Sequence, residues 1–185
     1  MKPTLFIIEG PDCAGKTTLA KHLADFICKN KSRDAAYFRC YGEKVLFPAM
    51  STIQTMVLDN AEHCVKNLGL SYVLDRHWPS EYVYGRVFRP ETVAGFESDY
   101  FDKRIRDLGG IYVYCNTHDI RGRHAKNQDP AHTYDSISFD KVVKGYDEWF
   151  LTRIIAHNRH LNYDVNYHGK DMNVYCEELI EYANS

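Results

Sequence analysis

Gly10-Pro11-Asp12-Cys13-Ala14-Gly15-Lys16-Thr17 fits the pattern G-x-x-x-x-G-K-[ST]. The chemistry of that pattern is the handling of polyphosphate. Glycines let the backbone wind closely round the anion, loop N–H groups and the positive end of the following helix point at it, and Lys16 adds a full charge near the β and γ phosphates. Thr17 then offers a hydroxyl to Mg²⁺. A chance turn is the bland reading of any such octapeptide, and its flanks decide between the two. Upstream, Leu5-Phe6-Ile7-Ile8 is a short apolar run bounded by Gly10, as expected of a strand buried on both faces of a parallel sheet. Downstream, Leu19, Leu23, Phe26 and Ile27 recur at helical spacing while Lys21, Asp25 and Lys29 take the opposite face. Strand, glycine loop and helix therefore follow one another in the order the phosphate-loop reading requires.

Further along, Ala35 to Arg39 reads as a second strand that delivers Arg39 to Glu43 to its carboxyl end, where open α/β sheets bind ligands. A helix carries Met50, Ile53, Met56, Val57, Ala61 and Val65 and ends near Gly69. Ser71 to Leu74 is a third strand leading into Asp75-Arg76-His77, and Pro79 suits the first turn of the next helix. Gly95 to Leu108 reads as helix and Ile111 to Cys115 as a fourth strand. Residues 116 to about 135 read as an irregular basic lid with Arg121, Arg123, His124 and Lys126. Ser138 to His160 has the spacing of one long amphipathic helix, Tyr163 to Asn166 of a weak last strand, and Met172 to Tyr182 of a terminal helix. This alternation predicts an α/β fold: a three-layer, doubly wound parallel sheet of about five strands in a single domain spanning 1–185.

Composition narrows the class of protein. With 185 residues, 44% hydrophobic and 26% charged, the chain reads as an ordinary globule. A net charge of -2 gives no global attraction to nucleic acid, so a nucleic-acid substrate would need a local basic patch. Six cysteines, at 13, 28, 40, 64, 115 and 176, show no C-x-x-C pair and no metal-ligand spacing, and free thiols in a reducing cytoplasm are the default expectation. No secretory leader or membrane span is legible, which points to a cytoplasmic protein.

In three places the chain resembles the thymidylate-kinase-like branch of the P-loop nucleoside and nucleotide kinases. These are the loop with Asp12 at its third position, the segment Val73-Leu74-Asp75-Arg76-His77-Trp78-Pro79-Ser80-Glu81-Tyr82-Val83-Tyr84-Gly85, and a strand at 111–115 followed by Arg121, Arg123, Phe139 and Tyr146. The second is the most specific. The compact, divergent form is also similar to small viral kinases of that superfamily. The resemblance implies ATP and Mg²⁺ as cofactors, a deoxynucleoside monophosphate as acceptor and a homodimer, although no exposed apolar stripe in the sequence demonstrates a dimer.

The same resemblance implies roles for particular residues. Gly10, Cys13, Ala14, Gly15, Lys16, Thr17 and Thr18 hold ATP; Thr17 and Asp75 hold the metal, Asp75 through water. Asp12 reaches the acceptor's sugar 3'-hydroxyl, Arg76 clamps its phosphate, and Arg39, Ser80 and Tyr84 complete its site. Relatives place a catalytic arginine either in the phosphate loop or in the lid; Cys13 occupies the loop position, which shifts the expectation to Arg121 or Arg123. The bland readings are an ion pair at a strand end for Asp75-Arg76 and a solvated charge run for the lid arginines. His77 reads as packing or orienting, His118, His124 and His132 as surface residues, and Trp78 and Tyr84 either line a base pocket or belong to the core.

Two departures keep the acceptor open. After the second strand the family has R-E-P or F-P-E-R, where this chain has Arg39-Cys40-Tyr41-Gly42-Glu43, and Asp59-Asn60-Ala61-Glu62-His63 lacks the arginine that precedes the third strand in thymidylate kinases. If the acceptor is a hydroxyl, Glu43 stands where deoxynucleoside kinases keep a general base. The hydroxyl would belong to a deoxynucleoside or to a modified base in DNA such as 5-hydroxymethyluracil. A DNA substrate would rely on Arg86, Arg89, Lys103, Arg104 and Arg106, which read more simply as solvated helix charges. A nucleotide-binding module without transfer is the alternative of a different class, and the acceptor clamp argues against it.

Overall fold

The computed structural model describes residues 2–31, 33–40, 49–90, 98–116, 119–126, 135–154, 159–164 and 171–185. Five strands, β1 (Leu5–Glu9), β2 (Ala35–Arg39), β3 (Ser71–Asp75), β4 (Ile111–Asn116) and β5 (Arg159–Asp164), form one sheet in the order β2-β3-β1-β4-β5. Every pairing is parallel. The central strands β1 and β3 are buried along their whole length and β4 along all but its last residue, whereas β2 and β5 are only partly buried. That contrast explains why the central strands read as continuous apolar runs and β5 does not.

Helices cover both faces. Phe6 and Ile8 of β1 pack with Leu19, Leu23 and Ile27 of α1 (Lys16–Asn30) and with Cys176 and Leu179 of the C-terminal helix α7 (Met172–Asn184). Leu5 and Ile7, pointing the other way, pack with residues of α2 (Ala49–His63), α3 (Trp78–Phe88), α4 (Ser98–Asp107) and α6 (Ser136–Trp149). The two-residue alternation of one strand thus feeds two cores. Among the described residues no helix is long and apolar enough to cross a membrane.

Three boundaries differ from the sequence expectation. The long helix stops as α6 at Trp149 and passes into a wider π turn at Phe150–Ile154, and His160 belongs to β5. A π turn advances the chain by an extra residue per turn, so the apolar spacing that runs on to Ile154 no longer describes one helical face. β5 accordingly begins at Arg159, before the expected Tyr163, and Val165 and Asn166 lie outside the described residues. Within the expected irregular lid, residues 120–126 form a short helix, α5 (Ile120–Lys126), Asn116 ends β4, and 127–134 lie outside the described residues.

The register brings the site together. Ile8 pairs with Asp75, Glu9 with Tyr114 and Arg39 with Asp75, so the carboxyl ends of β2, β3, β1 and β4 stand level. After β3 the chain crosses over β1 to reach β4, and the crevice at such a switch is where open α/β sheets take ligands.

Candidate active site

Gly10 is required by the close approach of a neighbouring strand. Its φ is +141°, and a Cβ there would lie 2.1 Å from the Cys115 carbonyl oxygen of β4. Gly15, at φ +80°, caps α1 with the Leu19 N–H donating to its carbonyl at 3.0 Å. Between them Cys13 holds φ +65° despite its side chain, and the only other non-glycine residue with positive φ among those described is Arg76, at +73°. Both strained residues face the same crevice. Left-handed backbone costs a substituted residue about 1 kcal/mol, and such strain clusters where side chains must be aimed.

Lys16 folds back and donates to the Pro11 carbonyl at 2.5 Å. Its ammonium is buried, which together with the nearby Arg76 charge lowers its pKa to about 8. Thr17 Oγ1 donates to Asp75 Oδ2 at 2.6 Å, and the Tyr37 hydroxyl donates to the same oxygen at 3.2 Å. Arg39 Nε lies 3.5 Å from it. Asp75 is 0% exposed, yet its Oδ1 has no hydrogen-bond partner among the described residues. A buried orphan carboxylate oxygen beside a threonine hydroxyl suits Mg²⁺, which keeps several waters and takes few protein ligands. The described residues contain no cluster of three metal-ligating side chains.

Arg76 forms the opposite wall. Nη2 pairs with Asp12 Oδ1, Nη1 donates to Ser80 Oγ at 3.1 Å and to the Tyr146 hydroxyl at 3.4 Å, and the guanidinium lies over the Tyr84 ring at 5.2 Å. Beneath it sits Glu9, 0% exposed, which the sequence reading missed. Glu9 Oε1 accepts the His77 N–H at 2.6 Å, and Oε2 accepts from Ser80 at 2.8 Å and Tyr146 at 3.2 Å. Burial raises the Glu9 pKa, and the Arg76 charge and the hydrogen bonds from His77 and Ser80 oppose that rise. A charged residue closing an apolar strand immediately before Gly10 was the available signal.

The structure separates the two lid arginines. Arg121 pairs with Asp140 at 2.7 Å on the outer surface, its side chain 77% exposed. Arg123 is near enough to the loop for its charge to favour the Cys13 thiolate, although burial and the Asp12 carboxylate push that thiol up. His124, expected at the surface, is buried and stacks on Phe139 at 4.0 Å, because α5 lies against α6. His77 is buried, its Nε2 3.1 Å from the Gln54 carbonyl, and burial lowers its pKa to about 4. Trp78 is a core residue donating to the Tyr112 hydroxyl at 3.0 Å, whereas Tyr84 stays half-buried against Arg76. In the basic cluster, Arg89 pairs with Glu81, Lys103 with Asp107, Arg104 with Asp59 and Glu62, and Arg86 donates to Tyr82. Glu43, His118 and His132 lie outside the described residues.

No family model matches the chain, and no curated protein matches it. Solved structures do. The chain is similar to the YorR protein of Bacillus subtilis in complex with phosphorylated GDP, with a TM-score of 0.67 at 17% identity over 96% of each chain. It is also similar to a deoxyadenosine kinase from M. mycoides with its products dCMP and a flexible dCDP bound, with a TM-score of 0.60 at 14% identity over 98% of this chain and 99% of that one. The same kinase with bound dATP gives 0.59 at 15% identity. At these identities the likeness is one of fold, an α/β architecture that in this chain is a five-stranded parallel sheet with flanking helices.

Proposed function

We propose that the chain is a cytoplasmic P-loop kinase that transfers the γ-phosphoryl group of ATP to a deoxynucleoside monophosphate. One observation carries this reading: the Lys16–Thr17–Asp75 group and the Asp12–Arg76 pair lie together at the carboxyl ends of β1 and β3, which would supply a nucleotide-triphosphate side and an acceptor side. Phosphoryl transfer asks a protein mainly to position two substrates and neutralise charge, and this edge provides both. Lys16 exchanges the Pro11 carbonyl for phosphate oxygens. Thr17 and Asp75 would hold Mg²⁺, whose charge offsets that of the β and γ phosphates. Arg76, its guanidinium already oriented by Ser80 and Tyr146, offers its Nη2 arm to the acceptor phosphate in place of Asp12. Asp12, displaced from Nη2, would turn to the sugar hydroxyl. Arg123 stands on the loop side to meet charge on the transferring group.

A hydroxyl acceptor is the second reading, favoured by two observations. Asp12 already fills part of the Arg76 fork, and one of the similar structures is a deoxyadenosine kinase, an enzyme named for a nucleoside substrate. Labelled ATP and Mg²⁺ with a panel of deoxynucleoside monophosphates, deoxynucleosides and hydroxymethylated duplex DNA separates the possibilities. Label on a monophosphate is the expected result. Label only on nucleosides or only on DNA would replace the acceptor, and ATP binding with no transfer to any acceptor would remove the kinase reading.

A further inference from the structure

Glu9 is a fully buried carboxylate that no step above uses. It belongs to β1, Ser80 to α3 and Tyr146 to α6, so the group joins three elements far apart in sequence. The Ser80 and Tyr146 oxygens stand 2.7 Å apart, each within hydrogen-bond distance of Glu9 Oε2 on one side and Arg76 Nη1 on the other. The two hydroxyls own two protons for three oxygen–oxygen contacts: Ser80 donates to Oε2, and Tyr146 donates either to Oε2 or to Ser80 Oγ. In both arrangements a lone pair on each hydroxyl is left to accept from the guanidinium. The negative charge of Glu9 is thereby passed, through two hydroxyl dipoles, to one arm of Arg76.

Arg76 thus has two counter-ions of different kinds. Asp12 is partly exposed, at 34%, and touches Nη2 directly; Glu9 is sealed in the core and acts on Nη1. We infer that Glu9 is a positioning residue for acceptor binding: a buried counter-ion that locks one arm of Arg76 through Ser80 and Tyr146 so that the other arm can be surrendered by Asp12 to the acceptor phosphate. This inference rests on the reading of Arg76 as the acceptor clamp. The competing role for Glu9 is purely structural. His77 is the N-cap residue of α3, has no side-chain cap of its own, and gives its N–H to Glu9 Oε1, so the carboxylate also fastens β1 to that helix.

A double-mutant cycle separates the two roles. Glu9→Gln keeps the shape and an oxygen for His77, but its amide N–H groups meet the hydroxyls with the same polarity as the guanidinium and the relay is broken. The expected result is an acceptor KM raised roughly tenfold with ATP KM within about twofold of the wild type, and no further rise when Glu9→Gln is added to Arg76→Ala. The pair Ser80→Ala with Tyr146→Phe removes the relay while leaving Glu9 and its cap in place, and is expected to reproduce the same KM split even if Glu9→Gln fails to fold. A proportional rise in both KM values, or an effect of Glu9→Gln that persists undiminished in the Arg76→Ala background, would overturn the inference. An unchanged acceptor KM in Arg76→Ala alone would instead overturn the reading on which it rests.

Discussion

The two walls of the crevice are assembled from different ranges of the chain. The proposed triphosphate wall is mostly local: Gly10, Gly15, Lys16 and Thr17 lie within eight consecutive residues, tied to the rest of the fold by Thr17 and Tyr37 on Asp75 and by the close approach of Gly10 to Cys115. The proposed acceptor wall is nearly all long-range: Arg76 meets Asp12 and Tyr146, and Glu9 meets His77, Ser80 and Tyr146, at separations of 64 to 137 residues. A local wall keeps its geometry wherever a strand, a tight loop and a helix follow one another, because the glycines and the helix end fix it. A wall tied together by side chains from β1, α3 and α6 depends on the packing of those elements, and with it the choice of acceptor.

That contrast predicts a hierarchy of effects. Lys16→Ala removes charge from the local wall and is expected to lower kcat by about 10³-fold, with the fold intact by circular dichroism. The same lysine has a pH signature. Its pKa in the empty protein lies near 8, below the ordinary 10.5. Bound phosphate raises it again, so ATP binding at pH 8.5 is expected to take up roughly three-quarters of a proton. The uptake fades below pH 7, where Lys16 is already charged, and is absent in Lys16→Ala. Calorimetry in buffers of different ionisation enthalpy measures it, and uptake that is unchanged in Lys16→Ala would contradict the assignment.

Next in size, Arg123→Ala is expected to lower kcat by about 10²-fold and Arg121→Ala by no more than about twofold, since only Arg123 approaches the loop while Arg121 serves Asp140. Equal losses in the two variants would contradict that distinction. The smallest expected effect is on stability. Cys13→Gly relieves positive φ in the local wall and is expected to gain up to about 1 kcal/mol, or ~2–4 °C in Tm. A drop in Tm would show that the thiol's packing outweighs the strain.

The same contrast explains what the amino-acid sequence reveals. Gly10 to Thr17, the apolar run of β1 and Asp75-Arg76 were legible because each is a local pattern with a local cause. Glu9 read only as the last residue of a strand and Tyr146 only as part of a helical stripe; their meeting under Arg76 depends on how α6 packs, which no spacing records. Tyr37 likewise read as a strand residue and proves to donate to Asp75. The overrun of α6 has a different origin: Ile154 keeps the apolar spacing through a π turn that ends the helical face, and the edge strand β5 opens on Arg159 and His160, leaving only Leu161 and Tyr163 to alternate with Asn162 and Asp164, too short a pattern to announce it. His124 was read by its polarity, whereas its place is set by Phe139 on another helix.

The central claim, that one sheet edge carries a triphosphate wall and a separate acceptor wall, is tested most directly by the two KM values of Arg76→Ala. The account predicts an acceptor KM raised about 10²-fold with ATP KM unchanged. An unchanged acceptor KM, or a matching rise in ATP KM, would contradict it.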